Sequence, residues 1–195
     1  MLTVRFSAAL QLTAELHASQ HRKGTDTPYL AHLLAVAAIV LEYGGDEDTA
    51  IAALLHDSIE DRSYLFSGGS DDLRSYLEAR FGPKVLSIVE ECTDADTIPK
   101  PPWQARKEAY IASIAHKSPE GLLVSCADKL HNTRSLVRDY KLFGDASWER
   151  FTGGKEGSLW YYQSLVAAFE QNPASPQGLV RELKTTVEQL LELTT

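Results

Sequence analysis

The stretch AALLHDSIEDRS, residues 52–63, leads from small apolar residues directly into one imidazole and three carboxylates. These chemically active residues are His56, Asp57, Glu60 and Asp61. At about 100° per residue, a helix over residues 46–61 would place all four side chains in one sector of its surface. Carboxylates in the last turn of a helix repel one another and oppose the helix dipole. The stretch therefore predicts a cation bound beside a helix.

The rest of the chain predicts an all-α protein of about nine helices, because apolar residues recur at spacings of three and four while alternating strand patterns are missing. Glycine and proline clusters separate the segments. The predicted helices cover residues 2–20, 29–43, 46–61, 71–81, 83–95, 103–116, 119–141, 156–171 and 177–193. A length of 195 residues suits one domain over residues 1–195.

Charge and composition restrict the partners. A net charge of −8 argues against coating of nucleic acid or of an anionic membrane, both of which need a basic surface. A small polyanionic substrate would need a local basic pocket. Cys92 and Cys126 lack metal-ligand spacing and are predicted to be buried, reduced thiols. The longest apolar run, residues 33–41, is too short for a membrane span, so we expect a cytoplasmic protein.

Two further residues are candidate metal ligands. His32 lies in an otherwise apolar segment, where a core histidine with one satisfied hydrogen bond is the alternative. Asp128 follows the apolar run LLVSCA, and a solvated surface pair with Lys129 is the alternative. Against that pair, Asn132 and Ser135 fall on the helix face of Asp128 and form a polar stripe.

His32, His56, Asp57 and Asp128 together form a set of two imidazoles and two carboxylates. This set suits manganese, iron or zinc by ligand type. Such an ion would lower the pKa of water and polarise a phosphoryl oxygen. Glu60 and Asp61 are then placed for general acid and base work.

Five segments carry a resemblance to a known family: RKGTDTPYLAH at 22–32, AALLHDSIEDRS, FGPKVLSIVEECTDADTIPKPPWQARKEAYI at 81–111, ADKLHNTRSLVRDY at 127–140 and LWYYQSL at 159–165. The chain resembles the HD-domain superfamily of metal-dependent phosphohydrolases. Within it, the chain is most similar to the hydrolase domain of Rel/Spo-type proteins and to the stand-alone small alarmone hydrolases of the stringent response. The resemblance implies the helical HD-domain phosphohydrolase fold.

The resemblance also implies an enzyme that uses one Mn²⁺ to remove the 3′-pyrophosphate from guanosine tetra- or pentaphosphate, giving GDP or GTP. His32, His56, Asp57 and Asp128 match the metal ligands of that family, and Glu60 with Asp61 match its catalytic acidic pair. The positions that hold the nucleotide and its phosphates are matched by Arg22, Lys23, Asn132, Ser135 and Tyr161.

The required basic pocket has candidates in the sequence. Arg22 and Lys23 belong to the loop HRKGTDTPY at 21–29, which leads into the His32 segment. Lys100, Arg106, Lys107 and Lys155 are further candidates, of which Lys155 is assigned to the substrate. For the basic residues the alternative is solvated surface charge, and for Tyr161 it is core packing with the neighbouring aromatics. His17, His21, His116 and His131 are interpreted as structural or surface residues.

The chain departs from the family in two respects. Leu33 follows His32 where many members have proline, and the chain lacks the length for a synthetase region, so we expect it to degrade the alarmone. An HD-type phosphohydrolase of adenosine alarmones, deoxynucleotides (dNMP or dNTP) or NADPH is the alternative enzyme. A non-catalytic nucleotide sensor is the alternative from another class. A homo-oligomer is compatible with the sequence.

Overall fold

A computed structural model describes residues 1–95 and 99–194 of the chain. Within these ranges the protein consists of α-helices, three short 3-10 helices and connecting loops, with one isolated bridge between His21 and Pro28. The all-α prediction is confirmed. The α-helices are α1 Val4–Leu16, α2 Leu30–Glu42, α3 Glu47–Leu55, α4 Ser58–Arg62, α5 Ser70–Phe81, α6 Pro83–Cys92, α7 Trp103–Ser113, α8 Pro119–Phe143, α9 Gly154–Gln171 and α10 Gln177–Thr194.

The helices divide into two compact units, Met1–Lys100 and Pro101–Thr195. The first unit holds α1 to α6 and the second holds α7 to α10. The single domain over residues 1–195 stays a prediction. In the part of the chain that the structure describes, no helix is both long and apolar enough to cross a membrane.

Helix α3 is the centre of the first unit. Asp46 caps its N-terminus by accepting a hydrogen bond from the backbone N–H of Thr49 at 2.9 Å. Residues 50–55 are all fully buried, because α1, α2 and α6 pack around the helix. This enclosed helix ends directly at His56 and delivers the imidazole from a rigid element.

Helix α8, 25 residues long, is the backbone of the second unit. Ser118 caps its N-terminus and Pro119 occupies the first helical position, where a missing N–H costs nothing. Helices α9 and α10 pack along α8, and its buried residues Leu136 and Val137 join a core cluster with Trp148. Asp128 and Asn132 lie one turn apart on this helix.

The predicted continuous helix over residues 46–61 is wrong, because the helix breaks at His56 and Asp57. The His56 ring bonds the carbonyl of Ala53 at 2.8 Å, and the Ser58 hydroxyl donates to the carbonyl of Leu55 at 2.5 Å. A continuing helix would pair both carbonyls with backbone N–H groups, so these side chains compete with the helix.

The break also changes the position of the acidic residues relative to the helix dipole. Glu60 and Asp61 lie in the first turn of α4, where the helix dipole favours carboxylates. The predicted opposition between the dipole and these two carboxylates is therefore wrong. The case for a metal rests instead on the geometry around His56 and Asp57.

Candidate active site

Three of the predicted ligands meet in the first unit. One ligand atom from each of His32, His56 and Asp57 lies within 4.8 Å of the other two. Asp57 Oδ2 is 3.1 Å from His56 Nε2 and 3.7 Å from His32 Nε2. Both imidazoles are almost completely buried, whereas the side chain of Asp57 is 21% exposed. The cluster is therefore held by buried rings and remains accessible through its carboxylate.

The hydrogen bond of His56 decides which ring nitrogen can bind a metal. Its Nδ1 is 2.8 Å from the carbonyl of Ala53, and a carbonyl only accepts hydrogen bonds. Nδ1 therefore carries the proton, and Nε2 turns a lone pair toward Asp57. Two acceptor atoms 3.1 Å apart repel each other unless a proton or a cation lies between them. The lone pairs of this imidazole nitrogen and this carboxylate oxygen are suitable ligands for a divalent metal ion.

Tyr29 is a site residue that the sequence did not single out. Its hydroxyl donates to Asp57 Oδ2 at 2.5 Å, and its ring lies edge-on to His32 with centroids 5.4 Å apart. The guanidinium of Arg22 lies 5.8 Å from the centre of the same ring. Predicted residue Arg22 is thus beside the cluster, while Lys23 is exposed. The position of Tyr29 in the predicted binding loop was the signal that could have found it.

Glu60 and Asp61 are held by different partners. Glu60 Oε1 accepts from Lys100 Nζ at 2.7 Å, and its Oε2 accepts from the backbone N–H of Asp94 at 3.2 Å. Asp61 Oδ2 accepts from Gln20 Nε2 at 2.8 Å. Burial, followed by the nearby charge of Asp57, raises the pKa of Asp61 to about 6. A carboxyl with that pKa can exchange a proton near neutral pH.

The fourth predicted ligand, Asp128, belongs to the second unit. Lys129 Nζ lies 2.6 Å from its Oδ2, and Asn132 Nδ2 donates to its Oδ1 at 2.5 Å. The Lys129 pair named as the alternative is present, but its two side chains are only 12% and 9% exposed, so it is not a solvated surface pair. Burial lowers the pKa of Lys129, but the Asp128 carboxylate and the hydroxyls of Tyr110 and Tyr161 outweigh burial and raise it well above its ordinary value.

The other predicted substrate residues also lie in the second unit. The Ser135 hydroxyl donates to the carbonyl of His131 at 3.0 Å, within its own helix. Lys155 Nζ is 3.3 Å from a carboxylate oxygen of Asp145. Tyr161 is buried, and Lys107 Nζ lies 4.9 Å from the centre of its ring. Their contact with a substrate, like the role of Asp128, stays a prediction.

A comparison with known protein families identifies the family of this chain. A family model described as HD domain matches residues 9–143, which include His32, His56, Asp57 and Asp128. The chain belongs to the HD-domain family. This membership confirms the resemblance drawn from the HDSIED and ADKLHNTR segments.

Two curated relatives of this HD-domain protein are named for the same activity. The guanosine-3′,5′-bis(diphosphate) 3′-pyrophosphohydrolase MESH1 of Xenopus tropicalis is 42% identical over 133 residues, which cover 67% of this chain and 68% of the relative. The enzyme of the same name from Mus musculus is 38% identical over 187 residues, which cover 94% of this chain and 91% of the relative.

A solved structure agrees with these sequence relatives. A metazoan ortholog of SpoT, described as hydrolysing ppGpp and acting in starvation responses, matches with a TM-score of 0.74 at 27% identity. The match covers 98% of this HD-domain chain and 96% of the other. The predicted HD-domain helical fold is therefore confirmed.

Proposed function

We propose that this HD-domain protein is a divalent-metal-dependent hydrolase that removes the 3′-pyrophosphate from guanosine tetra- and pentaphosphate, giving GDP or GTP and pyrophosphate. The observation that carries the proposal is the cluster of His32, His56 and Asp57, with its ligand atoms within 4.8 Å of one another. Relatives named for this activity support the choice of substrate.

The metal in this proposal is one Mn²⁺ ion, held by His32, His56, Asp57 and Asp128. Imidazole and carboxylate ligands suit manganese, and they also suit iron or zinc. A divalent ion at this position supplies Lewis acidity and lowers the pKa of water. The proton on Nδ1 of His56 leaves its Nε2 lone pair for the ion.

The acidic pair carries the proton transfers. The oxygen of water attacks the phosphorus bonded to the ribose O3′, the bond from phosphorus to O3′ breaks, and the proton that the water loses passes through the acidic pair to O3′. Asp61, with a pKa of about 6, accepts the proton that the attacking water loses. Glu60, tied to Lys100 and to the N–H of Asp94, orients the water from a fixed position.

Substrate recognition needs local positive charge, since the chain has a net charge of −8. The proposed contacts to the nucleotide and its phosphates are Arg22, Lys23, Asn132, Ser135, Lys155 and Tyr161. The cation of Lys107 beside the Tyr161 ring adds charge on that side of the second unit. The proposed partner is a small nucleotide and neither a nucleic acid nor a membrane, and the proposed compartment is the cytoplasm.

The test is hydrolysis by purified protein stripped of metal. Guanosine tetraphosphate is incubated with the protein, with and without added Mn²⁺, and GDP and pyrophosphate are followed by ion-exchange chromatography. We expect both products in equal amounts and only with metal. No release from protein that has bound metal would contradict this substrate, and turnover of an adenosine alarmone, a deoxynucleotide or NADPH would then support the broader phosphohydrolase.

A variant separates catalysis from metal binding in the same assay. Glu60→Gln combined with Asp61→Asn should abolish turnover while the protein still binds Mn²⁺, because neither residue belongs to the proposed ligand set. Retained turnover would contradict the role of the acidic pair. Tyr64→Phe is the matched control, since Tyr64 is exposed and lies outside the cluster.

A further inference from the structure

A chain of side-chain hydrogen bonds leads from α1 to the acidic pair. His17, the residue after α1, lies with Nδ1 2.6 Å from Gln20 Oε1. The amide of Gln20 then donates from Nε2 to Asp61 Oδ2 at 2.8 Å. This chain joins His17 to the proposed catalytic carboxylate through a single intermediate side chain.

The direction of each bond follows from the acceptors. The Oε1 atom of Gln20 can only accept, so His17 carries its proton on Nδ1. With Oε1 turned to His17, the NH₂ group of Gln20 must face Asp61. The reversed amide would set an oxygen against the carboxylate and an NH₂ group against the imidazole N–H. The N–H of His17 therefore supports the orientation of Gln20 in which its NH₂ group meets Asp61.

The surroundings of His17 favour this tautomer. The ring is 2% exposed and stacks on Tyr29, with centroids 5.5 Å apart and planes inclined by 19°. Burial lowers the pKa of His17, which keeps the ring neutral near pH 7. Its Nε2 finds no hydrogen-bond partner among the described residues. A buried lone pair is tolerated better than a buried N–H without an acceptor.

We propose that His17 and Gln20 are positioning residues of the hydrolytic reaction, which hold Asp61 by Oδ2 alone and keep its Oδ1 for the reacting water. Among the described residues, Oδ1 of Asp61 accepts no hydrogen bond. The inference rests on the proposed function, because it assigns Asp61 its catalytic role. Neither His17 nor Gln20 needs to touch the substrate.

A packing role for His17 predicts different behaviour from a hydrogen-bonding role, and two substitutions separate the two. His17→Phe keeps an aromatic ring against Tyr29 but removes the N–H donor. His17→Asn loses the ring but carries an amide nitrogen at the position of Nδ1, the same number of bonds from the backbone. Positioning predicts that the Asn variant works and the Phe variant fails, while packing predicts the reverse order.

The experiment measures kcat and KM of both variants with guanosine tetraphosphate and Mn²⁺. We expect His17→Phe to lower kcat about tenfold to a hundredfold with little change in KM, as is typical when a supporting hydrogen bond is lost. His17→Asn should stay within about threefold of the wild-type kcat. Loss of kcat in the Asn variant, or full activity in the Phe variant, would overturn the proposal.

A second measurement needs no substrate. The ¹⁵N chemical shifts of the metal-free protein, labelled at histidine, distinguish a ring protonated at Nδ1 from one protonated at Nε2, and the His17 signals are assigned by their loss in His17→Asn. We expect Nδ1–H at neutral pH, and Nε2–H would overturn the proposal. If guanosine tetraphosphate is not hydrolysed, only the proposed function fails. The kcat values of the two variants are then compared with whichever phosphorylated nucleotide the wild-type protein hydrolyses.

Discussion

Tyr29 donates a hydrogen bond to Asp57 across 2.5 Å, although 28 positions separate the two residues in the sequence. The bonded atom, Oδ2, is the one that lies 3.1 Å from His56 Nε2. The phenol thus fixes the carboxylate in the orientation in which it faces the imidazoles. A metal site built on a carboxylate held in this way is preorganised before any ion binds.

Removal of the Tyr29 hydroxyl should therefore weaken metal binding. Tyr29→Phe keeps the ring against His17 and His32 but leaves Asp57 without this donor. We expect the affinity for Mn²⁺ to fall about tenfold or more, with the unfolding midpoint nearly unchanged. Isothermal titration of metal-free protein measures the effect, and Tyr64→Phe provides the comparison. Equal affinities of both variants would contradict a role for Tyr29 at the site.

Asp61 should make the stability of the metal-free protein depend on pH. Its pKa is raised from 3.8 to about 6 in the folded state, so the folded protein binds the proton more tightly than the unfolded chain does. The resulting stabilisation is complete below pH 3.8 and disappears as the pH rises through 6. Above that pH, the buried charge lowers the free energy of unfolding by about 3 kcal/mol at most.

Asp61→Asn removes that charge and keeps an oxygen that can accept from Gln20. We expect the variant to gain stability relative to wild type between about pH 4 and pH 7, and to lose turnover, a trade-off common at active sites. Urea unfolding of both metal-free proteins at the two pH values gives the comparison. A stability difference independent of pH would contradict the raised pKa.

The ion pair of Lys129 with Asp128 should be important for folding. Both side chains are almost enclosed, so Lys129→Met leaves a buried carboxylate without its cation. We expect the free energy of unfolding to fall by about 3–5 kcal/mol. The control is Lys184→Met, which breaks an exposed pair with Glu170 and should leave stability close to wild type. Similar losses in both variants would show that burial does not decide the effect.

Lys100 should matter for turnover more than for stability. Its ammonium is partly exposed and bonds Glu60 at 2.7 Å. Lys100→Gln removes a charge-assisted hydrogen bond from the acidic pair, and we expect kcat/KM to fall about tenfold to a hundredfold. Lys84→Gln is the control, because Lys84 is about as exposed as Lys100 and pairs at the same distance with Asp46, which lies outside the cluster. Steady-state kinetics measure kcat/KM of both variants. An equal fall in both would show that the contact of Lys100 with Glu60 is not the cause.

Much of the site was readable from short motifs. The residues His56, Asp57, Glu60 and Asp61 lie within six positions, so a helical conformation of this segment brings them close together. His32 was harder to assign, because a histidine in an apolar helix is compatible with a core role, and only the approach of its Nε2 to Asp57 made it part of a cluster. Tyr29 and Gln20 were missed since their carboxylate partners lie 28 and 41 positions away, and His17 was missed because it reaches the site only through Gln20.

The sequence by itself determined the helices, because their signals are local: apolar spacings of three and four, the caps Asp46 and Ser118, and prolines at the first helical position. Only the tertiary structure decided the break at His56, the burial of the pair at Asp128 and the bond from Gln20 to Asp61 across 41 positions. The bond from Gln20 depends on which distant side chain supplies the donor, while the helix break and the burial depend on the helices that pack around these residues. Neither propensity nor periodicity over one or two turns contains that information.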